Sequence, residues 1–254
     1  MNLHFCQELA VKYTSNSQKV RVMSEAWLAE NMFCPCCGNN VLTHLKNNKP
    51  VADFYCNKCS NIFELKSTSK KIGSKIADGA YVTMMKRITA MDNPSLFVLN
   101  YKNYTVKNLE FIPKYFFVSD IIEKRNSLSQ NAERSGWTGC SILYSKIPPQ
   151  GKISIIKNGV LADKAKIVDS YNHSRIFDLG SISKRSWLFD IMECVNTIQT
   201  DVFSLNEMYL FTDILAKKYV NNNNIHAKIR QQLQFLRDRG LIEFLGRGNY
   251  RKLY

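Results

Sequence analysis

The chain has 254 residues, of which 45% are hydrophobic, and this composition excludes a protein dominated by disorder. Lysine and arginine number 35 against 21 acidic residues, which gives a formal charge of +14 at pH 7. An excess of this size favours a polyanionic partner, with nucleic acid as the leading candidate and an otherwise ordinary basic enzyme as the alternative.

The sequence carries no signal for export or membrane insertion. No basic segment followed by an apolar stretch opens the chain, and no run of 18 or more uncharged apolar residues occurs. We therefore expect a cytosolic protein that does not bind a membrane. In a reducing compartment, paired members among the eight cysteines predict metal binding and not disulfides.

The first 180 residues alternate between helical and extended patterns. A first helix is predicted over residues 17–32, where Val20, Met23 and Trp27 recur at intervals of three and four. A second helix is predicted over residues 76–91. Strands are predicted over residues 95–101, 111–118 and 153–156. This order of elements predicts an α/β domain with a mixed sheet over residues 1–180.

Two cysteine pairs interrupt this domain after its first helix. Cys34-x2-Cys37 and Cys56-x2-Cys59 are separated by 18 residues, a spacing typical of two-knuckle structural zinc sites. Four thiolates in two tight turns can converge on a tetrahedral zinc ion that is closed to substrate. Cys36 adjoins Cys37 and is an alternative fourth ligand.

Acidic and basic residues flank the second cysteine pair. If residues 51–55 and 62–66 are antiparallel strands joined by the Cys56–Cys59 turn, paired residue numbers sum to 117 and Asp53 lies opposite Glu64. Lys66 shares that face, because alternate strand residues point to the same side. Two carboxylates and a lysine on one face suit a divalent metal and a phosphate under in-line attack, which is the chemistry of a nuclease.

Each member of this catalytic set has a predicted role. Asp53 and Glu64 would bind Mg²⁺, which needs only one or two protein carboxylates. Lys66 would orient or deprotonate the attacking water, or stabilise charge on the phosphorane, and the sequence leaves these roles open. The alternative is that Glu64 and Lys66 are merely a polar, solvent-exposed strand face.

The last 74 residues, 181–254, have the outline of a winged helix. Helices are predicted over residues 186–198, from a capping box at Ser204, and over residues 223–239. Two short strands, residues 241–245 and 250–253, enclose a basic turn. We therefore predict a C-terminal α+β winged-helix domain that binds DNA, with protein binding as the alternative.

The third of these helices and the hairpin supply the candidate DNA contacts of the domain. The residues expected to read base edges or a methyl group in the major groove are Ala227, Arg230, Gln231 and Gln234. The residues expected to bind phosphates are Arg247, Arg251 and Lys252.

Several stretches of the chain are similar to one known family. They are Ser15-Asn16-Ser17-Gln18-Lys19, Cys34-Pro35-Cys36-Cys37-Gly38-Asn39-Asn40, Pro50-Val51-Ala52-Asp53-Phe54-Tyr55-Cys56-Asn57, Asp78-Gly79-Ala80-Tyr81, Met84-Met85-Lys86-Arg87, Gly136-Trp137, Ile229-Arg230-Gln231-Gln232-Leu233-Gln234 and Gly246-Arg247-Gly248. Through these motifs, spread over nearly the full length, the chain resembles the DpnI-type methyladenine-dependent restriction endonucleases.

The resemblance implies a restriction-endonuclease-like nuclease of the Pro-Asp...(Asp/Glu)-x-Lys superfamily, with Mg²⁺ as cofactor and duplex GATC carrying methylated adenine as substrate. Asp53, Glu64 and Lys66 occupy the motif positions, and Ala52 departs from the proline of the superfamily name. The resemblance further implies restriction of foreign methylated DNA in a prokaryotic cytosol, with the winged helix as a second reader of the methylated site.

The loop at Arg134-Ser135-Gly136-Trp137 offers a candidate aromatic contact to the modified base. We expect Trp137 to contact DNA near that base and Arg134 to bind DNA, with core packing of Trp137 as the alternative. No obligate protein partner is evident. The competing functions are a non-catalytic zinc and winged-helix DNA-binding regulator, and a repair nuclease of looser specificity.

Overall fold

The computed structural model describes residues 1–45, 52–90 and 93–254, which form two compact units, Met1–Ile182 and Ser183–Tyr254. The first unit contains the strands β1 (Thr43–His44), β2 (Phe54–Tyr55), β3 (Ile62–Thr68), β4 (Ile76–Ala80), β5 (Ser95–Lys102), β6 (Thr105–Ile112), β7 (Ile122–Lys124), β8 (Gly139–Ile142), β9 (Ile153–Lys157) and β10 (Val160–Leu161). Its α-helices are α1 (Asn16–Asn31), α2 (Tyr81–Thr89) and α3 (Lys164–Ser174).

The main sheet of the first unit is mixed, as predicted. It has seven strands in the order β1-β2-β3-β5-β6-β9-β10, and β3 pairs with β5 in parallel while the other pairs are antiparallel. One face is a fully buried core in which the rings of Phe63, Phe97 and Phe111 lie 5.3 to 6.0 Å apart and pack with Trp27 and Leu28 of α1. Side chains alternate along β3, so Glu64 and Lys66 point to the opposite face.

The segment predicted as a helix over residues 76–91 is instead a strand followed by a helix. β4 pairs with β8 in a second, three-stranded sheet of order β4-β8-β7, and α2 begins only at Tyr81. Met91, the end of that prediction, lies outside the described residues. The prediction was wrong because Gly79 disfavours a helix interior and because pairing with β8, distant in sequence, decides the local conformation.

The strand predicted over residues 111–118 was also placed wrongly. β6 ends at Ile112, and residues Lys114–Phe116 form a 3₁₀ turn. Pro113 explains the end of the strand, because proline has no backbone N–H to donate to a sheet. The remaining strand predictions agree within a residue or two with β5 and β9.

The second unit contains four helices and three strands in the described chain. They are α4 (Ile182–Thr197), β11 (Val202–Ser204), α5 (Leu205–Tyr209), α6 (Thr212–Lys218), α7 (Ile225–Asp238), β12 (Ile242–Gly246) and β13 (Asn249–Lys252). Ser204 and Glu207 form the predicted capping box at the start of α5. The second predicted helix is divided into α5 and α6, and β11 adds an unpredicted third strand to give the order β11-β13-β12.

The core of the second unit follows the predicted apolar stripe of α7. Ile225, Ile229, Leu233 and Leu236 are buried. Within the described ranges, none of the helices combines the length and apolar character that a membrane crossing requires.

Candidate active site and DNA-binding surfaces

Four cysteine sulfurs converge in the first unit. The ligand atoms of Cys34, Cys37, Cys56 and Cys59 all lie within 4.8 Å of one another, and the Sγ–Sγ distances of the pairs Cys34–Cys59 and Cys37–Cys56 are each 3.6 Å. Four sulfurs at the corners of a tetrahedron around Zn²⁺ would lie roughly 3.8 Å apart, given a Zn–S bond of about 2.3 Å. The predicted convergence is confirmed, and the cluster has the dimensions of a zinc site.

The two knuckles have the same backbone hydrogen bonds. The amide N–H of Cys34 donates to the carbonyl of Asn39 at 2.7 Å, and that of Cys56 donates to the carbonyl of Asn61 at 2.9 Å. The side-chain amide of Asn61 lies 3.3 Å from Cys59 Sγ and that of Asn39 lies 3.6 Å from Cys56 Sγ, so both donate to sulfur. Donors aimed at sulfur stabilise thiolates, which are the form that binds a metal.

The fourth sulfur of the cluster belongs to Cys37 and not to its neighbour Cys36. Cys36 is buried in the hydrophobic core, and its thiol contacts Cys34 and the hydroxyl of Tyr171. Of the two alternatives left open by the sequence, the geometry therefore brings Cys37 into the cluster.

The charges around the cluster favour a bound cation. Burial raises the pKa of Cys56, but hydrogen bonds from the amides of Cys59 and Lys58, together with those from the thiols of Cys37 and Cys59, outweigh burial and lower that pKa to about 7. Burial raises the pKa of Cys37 to about 12, with the neighbouring thiols adding to the rise. Sulfurs this close cannot all ionise without a positive charge between them, and a divalent metal supplies that charge.

The hairpin that follows the first knuckle has the predicted register. Phe54 pairs with Phe63 and Tyr55 with Ile62, so paired numbers sum to 117. Asp53 lies in the bend leading into β2, where its amide N–H donates to the carbonyl of Phe63 at 2.9 Å. Val51, the first residue of the predicted strand, lies outside the described residues.

Asp53 is fixed at this position by a second hydrogen bond. Its Oδ2 accepts the amide N–H of Leu65 at 2.8 Å, which ties the carboxylate to the middle of β3. Burial raises the pKa of Asp53, and the hydrogen bond from Leu65 opposes that rise. The carboxylate is thus partly desolvated and held beside Glu64.

Glu64 and Lys66 are in direct contact on the face of the sheet away from the aromatic core. Lys66 Nζ lies 2.6 Å from Glu64 Oε1, and only 15% of the Glu64 side chain is exposed to solvent. A polar face open to solvent, which was the alternative for these residues, does not match this burial. The structure therefore brings Glu64 and Lys66 together and places Asp53 in register across the hairpin.

A third carboxylate, which was quoted from the sequence only within a matched stretch and given no role, contacts the same lysine. Asp78 Oδ1 of β4 lies 2.6 Å from Lys66 Nζ, and the Asp78 side chain is 7% exposed. Its place beside Lys66 could not be predicted from the sequence, because Asp78 lies in a segment that was predicted as a helix. The ammonium of Lys66 therefore lies between two carboxylates, one from each sheet of the unit.

The electrostatics of this group follow from burial and crowding of charge. Burial raises the pKa of Glu64 to about 7, opposed by the charge of Lys66 and assisted by the charges of Asp78 and Asp53. Burial would lower the pKa of Lys66, but the two adjacent carboxylates outweigh it and raise that pKa. The site therefore contains a carboxyl group poised near neutrality and a firmly charged ammonium.

The loop that carries Arg134 and Trp137 leads directly into β8. Arg134 is exposed and Trp137 is half-buried, with the guanidinium carbon of Arg125 5.8 Å from the indole centroid. A Cβ at Gly139 would lie 2.2 Å from Arg125 and 2.8 Å from Trp137, so this stacking requires glycine. The partly exposed indole remains consistent with a DNA contact, and it is not part of the hydrophobic core.

The four residues predicted to read bases, Ala227, Arg230, Gln231 and Gln234, are all exposed on α7. The guanidinium of Arg230 donates to the hydroxyl of Tyr209 at 2.7 Å. Tyr209 stacks on His226 with a centroid distance of 3.9 Å, and His226 Nε2 lies 3.0 Å from Thr212 Oγ1. No sequence pattern indicated this support of Arg230, because the contact forms where three helices meet.

The basic hairpin differs in detail from the prediction. Gly246 pairs with Asn249, and Arg247 and Gly248 between them have φ angles of 51° and 77°, which makes a two-residue turn with an exposed arginine at its tip. Arg251 is paired with Glu243 at 3.0 Å. Lys252 Nζ donates to the carbonyl of Ile198 at 2.5 Å, so this amine is engaged within the unit.

Comparison with protein families gives two matches that together span most of the chain. Residues 1–179 match the model of the family described as Dam-replacing, and residues 183–252 match the model described as the Dam-replacing HTH domain. The first match covers the sheets, the thiol cluster and the carboxylate-lysine group, and the second covers the helices and hairpin that carry the candidate DNA contacts.

Proposed function

The chain belongs to the Dam-replacing family, and from this premise we propose that it is a type II restriction endonuclease that hydrolyses duplex DNA at GATC sites carrying methylated adenine. The family and the HTH domain support DNA binding and a role like that of methylation-dependent restriction enzymes. The observation that supports the catalytic part of the proposal is that Asp53, Glu64 and Lys66 share one partly buried face of the hairpin. Its action would be restriction of foreign methylated DNA in a prokaryotic cytosol.

The carboxylates fit a hard divalent cation. Asp53 uses Oδ2 for the amide of Leu65, and Glu64 uses Oε1 for Lys66, so Oδ1 and Oε2 are the oxygens that would hold Mg²⁺. When bound, the ion would supply the Lewis acid that polarises the scissile phosphate. Lys66 would donate hydrogen bonds to the phosphate oxygens or orient the attacking water, and its positive charge offsets charge that develops on phosphorus.

The thiol cluster would hold Zn²⁺ in a structural role. All four ligands would be protein sulfurs, so a zinc ion there would have no open position for substrate. The residues of the second knuckle connect β2 to β3, and through them the zinc-bound cluster would fix the register that sets Asp53 opposite Glu64. The cofactors of the proposed enzyme are therefore one structural zinc and catalytic magnesium.

Strict dependence on a methyl group requires more than one contact. Burial of a single carbon stabilises a complex by only about 0.8 kcal/mol. If two surfaces each prefer methylated over unmethylated DNA, their preferences multiply. We assign these two roles to the α7 surface and to the loop of Arg134 and Trp137.

A cleavage assay tests the proposal directly. Plasmid DNA with fully methylated, hemimethylated or unmethylated GATC sites is incubated with the full chain, with and without Mg²⁺. We expect double-strand cleavage of methylated plasmid only when Mg²⁺ is present. Binding without cleavage would instead support the non-catalytic regulator, and cleavage regardless of methylation would support the repair nuclease.

The magnesium requirement should depend on pH, because the pKa of Glu64 is raised to about 7. Below that pH a proton competes with the cation for the carboxylate, so affinity for Mg²⁺ rises with pH and levels off above it. We expect the half-saturating Mg²⁺ concentration for single-turnover cleavage to fall roughly fivefold between pH 6 and 7, by roughly a further twofold to pH 8, and then to stay level. A concentration that is constant from pH 5.5 to 8.5 would contradict the prediction.

Replacing Arg230 by alanine should weaken and relax recognition at one base pair by about 1 to 3 kcal/mol. Tyr209→Phe should produce a smaller loss of the same kind, because it removes only the hydroxyl that holds the guanidinium. The measurement is fluorescence anisotropy in Mg²⁺-free buffer, with duplexes substituted at each position of the site. Arg237→Ala, an exposed arginine in the last turn of the same helix, is the control. Equal weakening on every duplex would indicate a phosphate contact instead.

A further inference from the structure

The carboxylate-lysine group contains one more acid than the proposed chemistry uses. Asp78 contacts Lys66 Nζ at 2.6 Å, the same distance as Glu64, yet it comes from a different sheet. In the described part of the chain, the four thiols are the only group of three or more ligand residues that could hold a metal ion. Asp78 is therefore not placed as a third metal ligand beside Asp53 and Glu64.

The backbone around Asp78 is built to aim its side chain. The pairing of β4 with β8 shifts between Asp78 and Ala80, which leaves Gly79 as the extra residue of a β-bulge. Bulges bend a strand and redirect the adjacent side chain. Asp78 Oδ1 also accepts the amide N–H of Gly79 at 2.6 Å, and Cys140 Sγ lies 3.4 Å from the carbonyl of Gly79. These contacts fix the carboxylate so that it faces Lys66.

The two acids that contact Lys66 have different tasks once a cation is present. A carboxylate that binds a divalent cation gives up part of its interaction with a neighbouring ammonium, so Glu64 would hold Lys66 less firmly in the loaded site. Asp78 makes its contact with Lys66 from β4, on the other sheet, and has no such competing task. It can therefore keep the ammonium in place throughout the reaction.

We propose that Asp78 is a positioning residue for the proposed nuclease: it anchors Lys66 from the second sheet while Glu64 binds the catalytic cation. This inference rests on the proposed function. It assigns to Asp78 an effect on the rate of cleavage and not on the binding of DNA. The alternative is that the Asp78–Lys66 ion pair only joins the two sheets.

Asp78→Asn separates these two roles. Asparagine keeps an oxygen for the amide of Gly79 but removes the charge that anchors Lys66. We expect the single-turnover rate on methylated DNA to fall by about 100-fold while Kd for the same DNA in Mg²⁺-free buffer changes by less than about twofold. Asp78→Glu keeps the charge and should cleave at least about tenfold faster than Asp78→Asn. Glu123→Gln removes the exposed partner of Lys75 in the same sheet and should change neither quantity.

A second readout does not depend on cleavage. Thermal unfolding midpoints of the wild type, Asp78→Asn, Lys66→Met and the double variant are compared in buffer without Mg²⁺ and without chelator. We expect non-additive effects, with Asp78→Asn lowering the Tm of the Lys66→Met protein less than that of the wild type, because both changes disrupt one ion pair. If Asp78→Asn alone does not fold, recovery of folding in the double variant supports the pair.

The outcomes separate this inference from the proposed function. A wild-type protein that never cleaves methylated DNA overturns the proposed function. If the wild type cleaves and Asp78→Asn cleaves at the same rate, only the role of Asp78 is overturned. The same holds if the rate of Asp78→Asn falls no more than its affinity for DNA. Additive unfolding midpoints, or a double variant that stays unfolded, also overturn it.

Discussion

Lys66→Ala and Asp53→Asn should each lower the single-turnover rate of cleavage by about 10³-fold or more. Lys66 supplies the only positive charge among the residues assigned to the catalytic face, and Asp53 supplies one of the two proposed magnesium carboxylates. Asparagine keeps the oxygen that accepts the amide of Leu65, so Asp53→Asn tests the charge and not the hairpin. The rate is measured on methylated duplex with enzyme in excess.

Matched substitutions of exposed residues make the comparison specific. Lys102→Ala at the exposed end of β5 and Asp169→Ala on α3 remove one charge each from the same unit and should leave the rate within about twofold of wild type. DNA binding in Mg²⁺-free buffer should persist in all four variants. Retention of rapid cleavage by either Lys66→Ala or Asp53→Asn would show that the carboxylate-lysine group is not the catalytic set.

The candidate catalytic set was predictable because it depends on short-range geometry. A turn between Cys56 and Cys59 fixes which residues of the flanking strands oppose one another, and the observed pairing of Phe54 with Phe63 follows that rule. The spacing of the cysteine pairs likewise predicted four converging sulfurs. The register of the hairpin and the convergence of the sulfurs both depend on fewer than 35 consecutive residues, from Cys34 to Lys66.

The site residues that could not be predicted from the sequence depend on contacts between segments that are distant along the chain. Asp78 meets Lys66 because β4 pairs with β8, whose partner residue Cys140 lies 62 positions later. Local hydrophobic periodicity carries no information about that pairing, and it favoured a helix instead. Tyr209 supports Arg230 for a similar reason, since the stacking on His226 requires α5 and α7 to cross at one point.

Removal of zinc is expected to abolish cleavage even when Mg²⁺ is abundant. Metal binding at structural four-ligand sites is worth on the order of 10 kcal/mol of folding free energy in zinc-finger peptides, so the emptied knuckles should not keep their geometry. Asp53 would then lose its register with Glu64, because the turn that sets the register is part of the second knuckle. We expect one zinc per chain by atomic absorption, loss of cleavage after chelation, and recovery only when Zn²⁺ and Mg²⁺ are both returned.

Neighbouring cysteines provide the control for this experiment. Cys37→Ser removes a sulfur from the cluster, whereas Cys36→Ser changes the adjacent buried thiol that lies outside it. Cys37→Ser should lose zinc, lower the Tm and stop cleavage, while Cys36→Ser should keep zinc and cleave at a rate within a few-fold of wild type. The two residues share a knuckle, so if any substitution in this turn were disruptive, Cys36→Ser would lose stability and cleavage as much as Cys37→Ser. A chelated protein that cleaves fully with Mg²⁺ alone would show that the thiol cluster does not hold the carboxylates in place.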